Sequence, residues 1–274
     1  MRLDRPIGTW LLYWPCAWSV ALAGIRGRWD LLLWFALGAF ATRSAGCVYN
    51  DIVDRDLDSR VERTRLRPLA SGRVSVRSAW VLIGLLCVIG LIILLQLNRM
   101  AAIVALVSVA PVAAYPFMKR ITWWPQAWLG LVFSWGALVG WPAVTGSLDW
   151  AALLLWFGSI SWVIGYDTLY AIQDIEDDAL VGVKSSARRL GDKAPVGIGI
   201  SYAIAVLLWA AAIWAVRPDW IALLALVPAV LHLANQALRA DPKDGELALH
   251  LFRSNRICGL LVFLGMLVVG VSVR

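Results

Sequence analysis

The chain is poor in charge: only 16% of its 274 residues are Asp, Glu, Lys or Arg, whereas 61% are hydrophobic. A soluble globular domain carries about 25% charged residues, because its surface must face water. So small a charged fraction excludes a soluble globular enzyme. It also excludes a disordered chain, which combines low hydrophobicity with high charge.

Cysteine and histidine, the residues of disulfide frameworks and zinc sites, are also scarce. The chain has two histidines and four cysteines, and no two cysteines have C-x-x-C spacing. The cysteines all lie in apolar stretches, at Cys16, Cys47, Cys87 and Cys258. This placement argues against a disulfide framework and against a zinc site.

Long apolar runs, in contrast, are abundant. About 20 helical residues cross a bilayer core of about 30 Å, and nine stretches qualify: 7–24, 30–49, 79–97, 101–118, 124–145, 150–170, 196–216, 219–238 and 254–273. In lipid, backbone polar groups must be satisfied within each segment, so these stretches are predicted to be helices. The predicted fold class is all-α, a polytopic membrane bundle of nine transmembrane helices in a single domain over residues 1–274.

The first of these stretches also has features of a signal peptide. Arg2 and Arg5 precede the apolar run, and the small-residue triplet Ala21-Leu22-Ala23 lies near its end. Its tryptophans are unusual for a signal peptide, and eight more apolar stretches follow it. We therefore interpret it as a retained first helix, with a cleaved segment as the alternative.

Lys and Arg are distributed unequally between the two sides of the predicted bundle. If the N-terminus is cytoplasmic, the cytoplasmic side holds most of them, including seven arginines between Arg55 and Arg77. The outer side keeps only Arg26, Arg28, Arg99, Arg217 and Arg274. The positive-inside rule then predicts a cytoplasmic N-terminus. The net charge of +7 faces anionic lipid, so it does not indicate nucleic-acid binding.

Two of the cytoplasmic loops are acidic in the same way. The pairs Asp54/Asp58 and Asp174/Asp178 share the spacing D-x-x-x-D, and they lie 120 residues apart. Each pair follows an even-numbered predicted helix, which hints at a duplicated unit.

Helical geometry predicts that each acidic loop gathers its carboxylates on one face. If the helices persist at 100° per residue, Asp51, Asp54 and Asp58 fall within about 60° of arc, and Asp167, Asp174 and Asp178 within about 40°. Such carboxylates repel one another, most strongly beside a low-dielectric membrane, and a bound cation removes the repulsion. Oxygen ligands suit Mg²⁺ or Ca²⁺, and Mg²⁺ held by few carboxylates usually takes phosphate oxygens as well. The loops therefore predict a metal–diphosphate site.

Three other interpretations stay open on these residues. The acidic loops could be solvated surface without chemistry. A cation-coupled transporter is disfavoured because its carboxylates would lie near the bilayer midplane rather than at the inner helix ends. A CDP-alcohol phosphotransferase is disfavoured because Asp51 is followed by Ile52 rather than glycine, and because the acidic motif is split between two loops.

The motifs resemble those of the UbiA family of intramembrane aromatic prenyltransferases. The first resembling stretch runs over 43–72 and the second over 166–185. Between them, the stretch over 115–126 is similar to the branch of the family that uses 4-hydroxybenzoate, as is the short stretch over 4–8.

This resemblance implies both an architecture and a reaction. The architecture is a nine-helix bundle around a central cavity that opens to the inner face and to lipid. The reaction is Mg²⁺-dependent transfer of a polyprenyl chain from polyprenyl diphosphate to the ring carbon ortho to the hydroxyl of 4-hydroxybenzoate, in ubiquinone biosynthesis. The expected location is a bacterial inner membrane, with no nucleic acid and no obligate protein partner. Homogentisate, dihydroxynaphthoate, haem and a chlorin are alternative acceptors.

The resemblance also assigns roles to individual residues. One Mg²⁺ would be held by Asn50, Asp54 and Asp58 and the other by Asp174 and Asp178, with Asp51 and Asp167 as support. Lys119 would bind diphosphate, and Arg120 and Tyr115 would face the reacting end or the acceptor carboxylate. Diphosphate-binding or loop-ordering roles are expected for Arg43, Arg63 and Arg67, and Lys184 is expected to bind substrate. Aromatic faces that stabilise an allylic cation are expected from Tyr115, Tyr166 and Tyr170.

Overall fold

The structure is a computed structural model that describes residues 4, 6–59, 62, 64–175 and 184–272, with the backbone alone at Lys119 and Arg120. Every regular element in these ranges is a helix. In chain order the helices are α1 Ile7–Leu22, α2 Asp30–Val53, α3 Arg55–Asp58, α4 Val76–Leu94, α5 Arg99–Val107, α6 Val109–Ile121, α7 Pro125–Ser134, α8 Gly136–Thr145, α9 Trp150–Gln173, α10 Ser186–Leu190, α11 Ala194–Val216, α12 Trp220–Leu223, α13 Val227–Arg239 and α14 Gly245–Ser272. Single 3₁₀ turns precede α11 and α13.

These helices correspond to the nine predicted apolar stretches. Eight helical stretches of the described chain are long and apolar enough to span a membrane, and α1, with 16 residues, is the shorter ninth. Short breaks divide three of the predicted stretches, into α5 and α6, α7 and α8, and α12 and α13. The last helix begins nine residues before its predicted start, because Asp244 caps it by accepting a hydrogen bond from the Leu247 N–H at 2.8 Å. The chain is an integral membrane protein.

Helix α1 lies inside the bundle and not at its edge. Eleven of its residues are buried, and it packs against α2, α7, α8, α9 and α14. Trp18 is fully buried, donates a hydrogen bond from Nε1 to the Gly259 carbonyl at 2.8 Å, and meets the rings of Trp162 and Trp209 at 4.9 and 5.1 Å. A helix that is apolar on all sides is typical of such a central position.

Two glycines one turn apart bring α8 into close contact with α1. A Cβ atom on Gly140 would lie 2.7 Å from the Cys16 carbonyl oxygen, and one on Gly136 would meet the Cys16 sulfur. Ser19 crosses the same contact and donates a hydrogen bond to the Ala137 carbonyl at 2.6 Å. Small residues of this kind drive helix association in membranes, where the hydrophobic effect between helices is absent.

A buried polar network joins the helices of the C-terminal half. Gln236 on α13 accepts hydrogen bonds from the Tyr202 hydroxyl of α11 at 2.7 Å and from the Asn255 amide of α14 at 3.2 Å. Its own amide donates to Ser254 at 2.7 Å, and Trp162 of α9 donates to Asn255 at 2.9 Å. The network fixes α9, α11, α13 and α14 relative to one another.

Candidate active site

The two acidic motifs occupy equivalent positions at the ends of two equivalent helices. Helices α2 and α9 are each 24 residues long and begin 120 residues apart. Each ends just before the first aspartate of its D-x-x-x-D pair. Asp54 has φ −95° and ψ 5°, and Asp174 has φ −101° and ψ 6°. This match supports the duplication suggested by the sequence.

The acidic ends of α2 and α9 lie on the same side of the bundle. The two helices are the second and sixth spans of the chain, so they run in the same direction. At these ends the carboxylates of Asp51, Asp54, Asp58 and Asp174 are buried, with residue exposures of 9%, 1%, 7% and 8%. Carboxylates are rarely buried unless they are paired or bind a cation.

The assumption that helix α2 continues through its acidic stretch is wrong. The backbone of Asp54 leaves helical geometry and ends α2, and the one-turn helix α3 carries Asp58. The arc calculated for a continuous helix therefore does not apply beyond Asp54. Asp51 and Asp58 are nonetheless brought together, because Arg67 contacts both.

Arg67 bridges the first acidic motif. Its Nη1 atom lies 2.6 Å from Asp58 Oδ2 and 3.4 Å from Asp51 Oδ1. The Thr64 hydroxyl donates a hydrogen bond to the Asp58 carbonyl at 2.9 Å, which ties the following loop to α3. The sequence predicts a diphosphate-binding or loop-ordering role for Arg67, and in the structure its guanidinium contacts two aspartates of the first motif.

Arg43 lies where α1, α2, α7 and α9 meet. Its guanidinium is 6.0 Å from the centre of the Phe133 ring on α7 and packs against Gly8 on α1. It is within electrostatic range of the Tyr166 hydroxyl on α9. That hydroxyl is buried and, among the described residues, has no hydrogen-bond partner. A cation beside an unpartnered buried hydroxyl favours a ligand that accepts hydrogen bonds.

The tyrosines of the second motif share one aromatic neighbour on α14. The Phe252 ring is 5.8 Å from the Tyr166 ring and 4.9 Å from the Tyr170 ring. Tyr115 is half-buried and packs against the same core cluster as these rings. The three tyrosines predicted to offer aromatic faces are therefore all held by packing.

The segment that follows the second motif is tied to the end of α6, to the start of α7 and to the turn between them. Lys184 donates a hydrogen bond to the Ile121 carbonyl at 3.4 Å, and its ammonium is 5.9 Å from the Trp123 ring. Ser186 donates its backbone N–H to Gln126 at 3.2 Å, and its hydroxyl lies 2.8 Å from the Thr168 hydroxyl. Sequence reasoning missed this chain of contacts, although Gln126 belongs to a stretch that carried the resemblance.

Some predicted site residues cannot be placed. Asp178 and Arg63 lie outside the described residues, and so do the side chains of Lys119 and Arg120, whose backbone belongs to α6. Asn50 is half-buried one turn before Asp54, and Asp167 is half-buried beside Tyr166.

The donor set fits a hard divalent cation. The buried Asp54, Asp58 and Asp174 offer carboxylate oxygens, and Asn50 offers an amide oxygen, the ligand types that Mg²⁺ prefers. Within the described ranges, no three acidic, histidine or cysteine side chains are gathered tightly enough to hold a metal as they stand. Two of the acidic side chains have the Arg67 guanidinium between them.

A separate cavity lies at the opposite end of the bundle. It measures about 660 Å³ and is lined by residues at the far ends of α1, α8 and α9, among them Gly24, Thr145 and Trp150. Helices of 24 residues are about 36 Å long, so this cavity is remote from the aspartates.

Three kinds of comparison relate the chain to known proteins. The model of the UbiA prenyltransferase family matches residues 12–268. Mitochondrial 4-hydroxybenzoate polyprenyltransferases are similar: the Aedes aegypti protein is 45% identical over 97% of this chain, and the Rattus norvegicus protein 44% identical over 97%. The chain spans 61% of the length of the Aedes protein and 72% of the Rattus protein.

Solved structures show the same fold. The apo structure of a UbiA homolog from Aeropyrum pernix K1 matches with a TM-score of 0.76 at 28% identity, over 98% of both chains. A UbiA homolog from Archaeoglobus fulgidus bound to GPP and Mg²⁺ matches with a TM-score of 0.66 at 18% identity, over 99% of this chain and 98% of the other. The chain described here belongs to the UbiA prenyltransferase family.

Proposed function

We propose that the chain transfers a polyprenyl chain from polyprenyl diphosphate to the ring carbon ortho to the hydroxyl of 4-hydroxybenzoate. The observation that carries this proposal is the pair of buried aspartates, Asp54 and Asp174, that end α2 and α9 in nearly identical geometry. The names of the curated relatives support the acceptor and the polyprenyl donor. We further propose that residues 1–274 form one domain, with the active site on the cytoplasmic side of a bacterial inner membrane.

Two Mg²⁺ ions are part of the proposal. Asn50, Asp54 and Asp58 would hold one ion, and Asp174 and Asp178 the other, with Asp51 and Asp167 supporting them. When bound, the ions neutralise the diphosphate and stabilise the negative charge that develops on it as the allylic C–O bond breaks.

The side chains around the metal ligands would bind and orient the two substrates. Lys119 and Lys184 would contribute positive charge toward the diphosphate. Arg43, assisted by Tyr115 and Arg120, would hold the acceptor carboxylate. The buried Tyr166 hydroxyl, which has no hydrogen-bond partner among the described residues, would donate a hydrogen bond to the acceptor.

The remaining residues would protect and quench the electrophile. The faces of Tyr115, Tyr166 and Tyr170 would stabilise positive charge on the first isoprene unit. The packed apolar bundle excludes water, which would otherwise trap that cation as an alcohol. After the ring carbon attacks, an aspartate or the diphosphate would accept the ring proton.

The experiment is an acceptor comparison in washed membranes that contain the chain. Geranyl or longer polyprenyl diphosphate and Mg²⁺ are supplied with labelled 4-hydroxybenzoate, homogentisate or dihydroxynaphthoate. We expect lipid-soluble label from 4-hydroxybenzoate in preference to the others, and none in EDTA. Label from another acceptor alone would refute the assignment of 4-hydroxybenzoate while retaining the prenyltransferase chemistry.

A further inference from the structure

The Arg67 guanidinium stands among the carboxylates of the first acidic motif. Its Nη1 atom makes a short contact of 2.6 Å with Asp58 and a longer one of 3.4 Å with Asp51. The side chains of Arg67, Asp58 and Asp51 are 25%, 9% and 12% exposed, so solvent screens this cluster only weakly. The guanidinium thus supplies positive charge to carboxylates that the proposed function assigns to metal binding or to its support.

The backbone of Arg67 is held in place by its own loop. Its N–H donates to the Thr64 carbonyl at 2.9 Å, and its carbonyl accepts from the N–H and the hydroxyl of Ser71, both at 2.8 Å. Leu69 is buried in a small cluster with Val48 of α2 and Ala79 of α4. The loop therefore fixes the base of the side chain, and rotation about the side-chain bonds is what remains free to move the guanidinium.

A metal ion on Asp58 and the guanidinium in its observed position would repel each other. Both are cations that seek the same carboxylate oxygens, and at a weakly screened site their repulsion is strong. This repulsion favours movement of the guanidinium away from Asp58 when a metal ion binds there. A planar guanidinium binds phosphate oxygens in a bidentate manner, so an arriving diphosphate offers it a new partner.

We propose that Arg67 is a resident counter-cation that occupies the first acidic motif until the metal–diphosphate substrate arrives. It then yields Asp58 to the metal ion and turns to the diphosphate. Arg67 in this role is a positioning residue that opposes binding of the metal alone and favours binding of the metal with diphosphate. The inference rests on the proposed function, because it requires a divalent cation at Asp54 and Asp58.

The test measures binding of Mn²⁺, which shares the oxygen ligands and octahedral geometry of Mg²⁺. Purified protein in detergent is titrated with Mn²⁺, and free Mn²⁺ is followed by electron paramagnetic resonance, with and without geranyl diphosphate. Arg67→Gln removes the charge and keeps a hydrogen-bond donor. Arg65→Gln is the matched control, because Arg65 pairs with Glu62 at 2.8 Å on the surface, where their side chains are 58% and 87% exposed.

We expect Arg67→Gln to bind Mn²⁺ alone at least about threefold more tightly than wild type, since a competing cation is gone. Geranyl diphosphate should strengthen Mn²⁺ binding less in this variant than in wild type, because the released guanidinium is missing. Arg65→Gln should behave as wild type in both titrations. Arg67→Lys keeps the charge without the planar fork, and its affinity for Mn²⁺ alone should lie between those of wild type and Arg67→Gln.

Two contrary results have different meanings. If Arg67→Gln, or the equally uncharged Arg67→Met where the glutamine variant does not fold, binds Mn²⁺ alone no more tightly than wild type does, the counter-cation role is refuted and the metal site stands. If wild type binds no Mn²⁺, or if Asp54→Asn binds Mn²⁺ as well as wild type does, the metal site is refuted, and the role of Arg67 is refuted with it.

Discussion

Replacing Gln236 by leucine should destabilise the bundle through the network that joins α9, α11, α13 and α14. Gln236 is fully buried and makes four hydrogen bonds to the neighbouring helices, through Tyr202, Asn255, Ser254 and the Leu251 carbonyl. A hydrogen bond between transmembrane helices contributes on average about 0.6 kcal/mol. The buried Tyr202 hydroxyl, left without an acceptor in the variant, increases the loss in free energy of unfolding by about 1 kcal/mol. The expected loss in free energy of unfolding is therefore about 3 kcal/mol.

A double-mutant cycle separates this network from mere packing. Tyr202→Phe alone should cost about 1 kcal/mol. In the Gln236→Leu background the same change should cost nothing or be stabilising, because the phenylalanine removes a hydroxyl that has lost its acceptor. Gln96→Leu is the matched control, since Gln96 is exposed just after the end of α4 and its side chain donates a hydrogen bond to the Ile92 carbonyl of that nearby helix.

The assay is reversible unfolding of the purified protein by SDS in mixed micelles, followed by tryptophan fluorescence. Gln96→Leu should stay within about 0.5 kcal/mol of wild type. If the costs of Gln236→Leu and Tyr202→Phe are strictly additive, or if the Gln236→Leu protein is as stable as wild type, the hydrogen-bond network does not stabilise the bundle.

Three further predictions concern helix contacts and the substrate region. Gly140→Ala should lower the free energy of unfolding by about 1–3 kcal/mol, because its Cβ would lie 2.7 Å from the Cys16 carbonyl oxygen of α1. Gly84→Ala is the control and should not lower it, because a Cβ at Gly84 would meet no described atom of a neighbouring element within 4 Å. SDS unfolding compares the two variants. Gly8→Ala should displace Arg43 and raise KM for 4-hydroxybenzoate about tenfold with little change in kcat, and an unchanged KM would contradict this placement. Tyr166→Phe should slow prenyl transfer about tenfold without loss of stability, because the Tyr166 hydroxyl has no hydrogen-bond partner among the described residues. A large loss of stability would show that the hydroxyl does have a partner in the folded protein.

Much of this architecture could be predicted because hydropathy and acidic spacing are local properties of the sequence. The spans were recognised from length and apolar content, and Asp54 and Asp174 from their matched spacing. The central position of α1 was not predicted, because a run that is apolar on all sides has no preferred face. Its location is set by partners distant in sequence, such as Gly259 and Ala137.

The candidate site was predictable in its residues but not in its contacts. The end of α2 at Asp54 depends on a backbone conformation that helical periodicity does not reveal. The pairing of Arg67 with Asp51 and Asp58 spans 16 and 9 residues and requires the intervening loop to fold back. Several arginines in that loop are equivalent by sequence, and only the folded loop distinguishes Arg67 from Arg65.

The proposed function requires that the buried aspartates at the ends of α2 and α9 carry the prenyl transfer with a divalent cation. The most direct test measures transfer of label from 4-hydroxybenzoate to lipid in membranes with matched protein levels. Asp54→Asn and Asp174→Asn should each lower the rate about 100-fold or more, and EDTA should abolish it. Asp56→Asn, the same change at an exposed position two residues from Asp54, should leave the rate near that of wild type. Full activity in Asp54→Asn and Asp174→Asn would show that these aspartates do not carry the reaction.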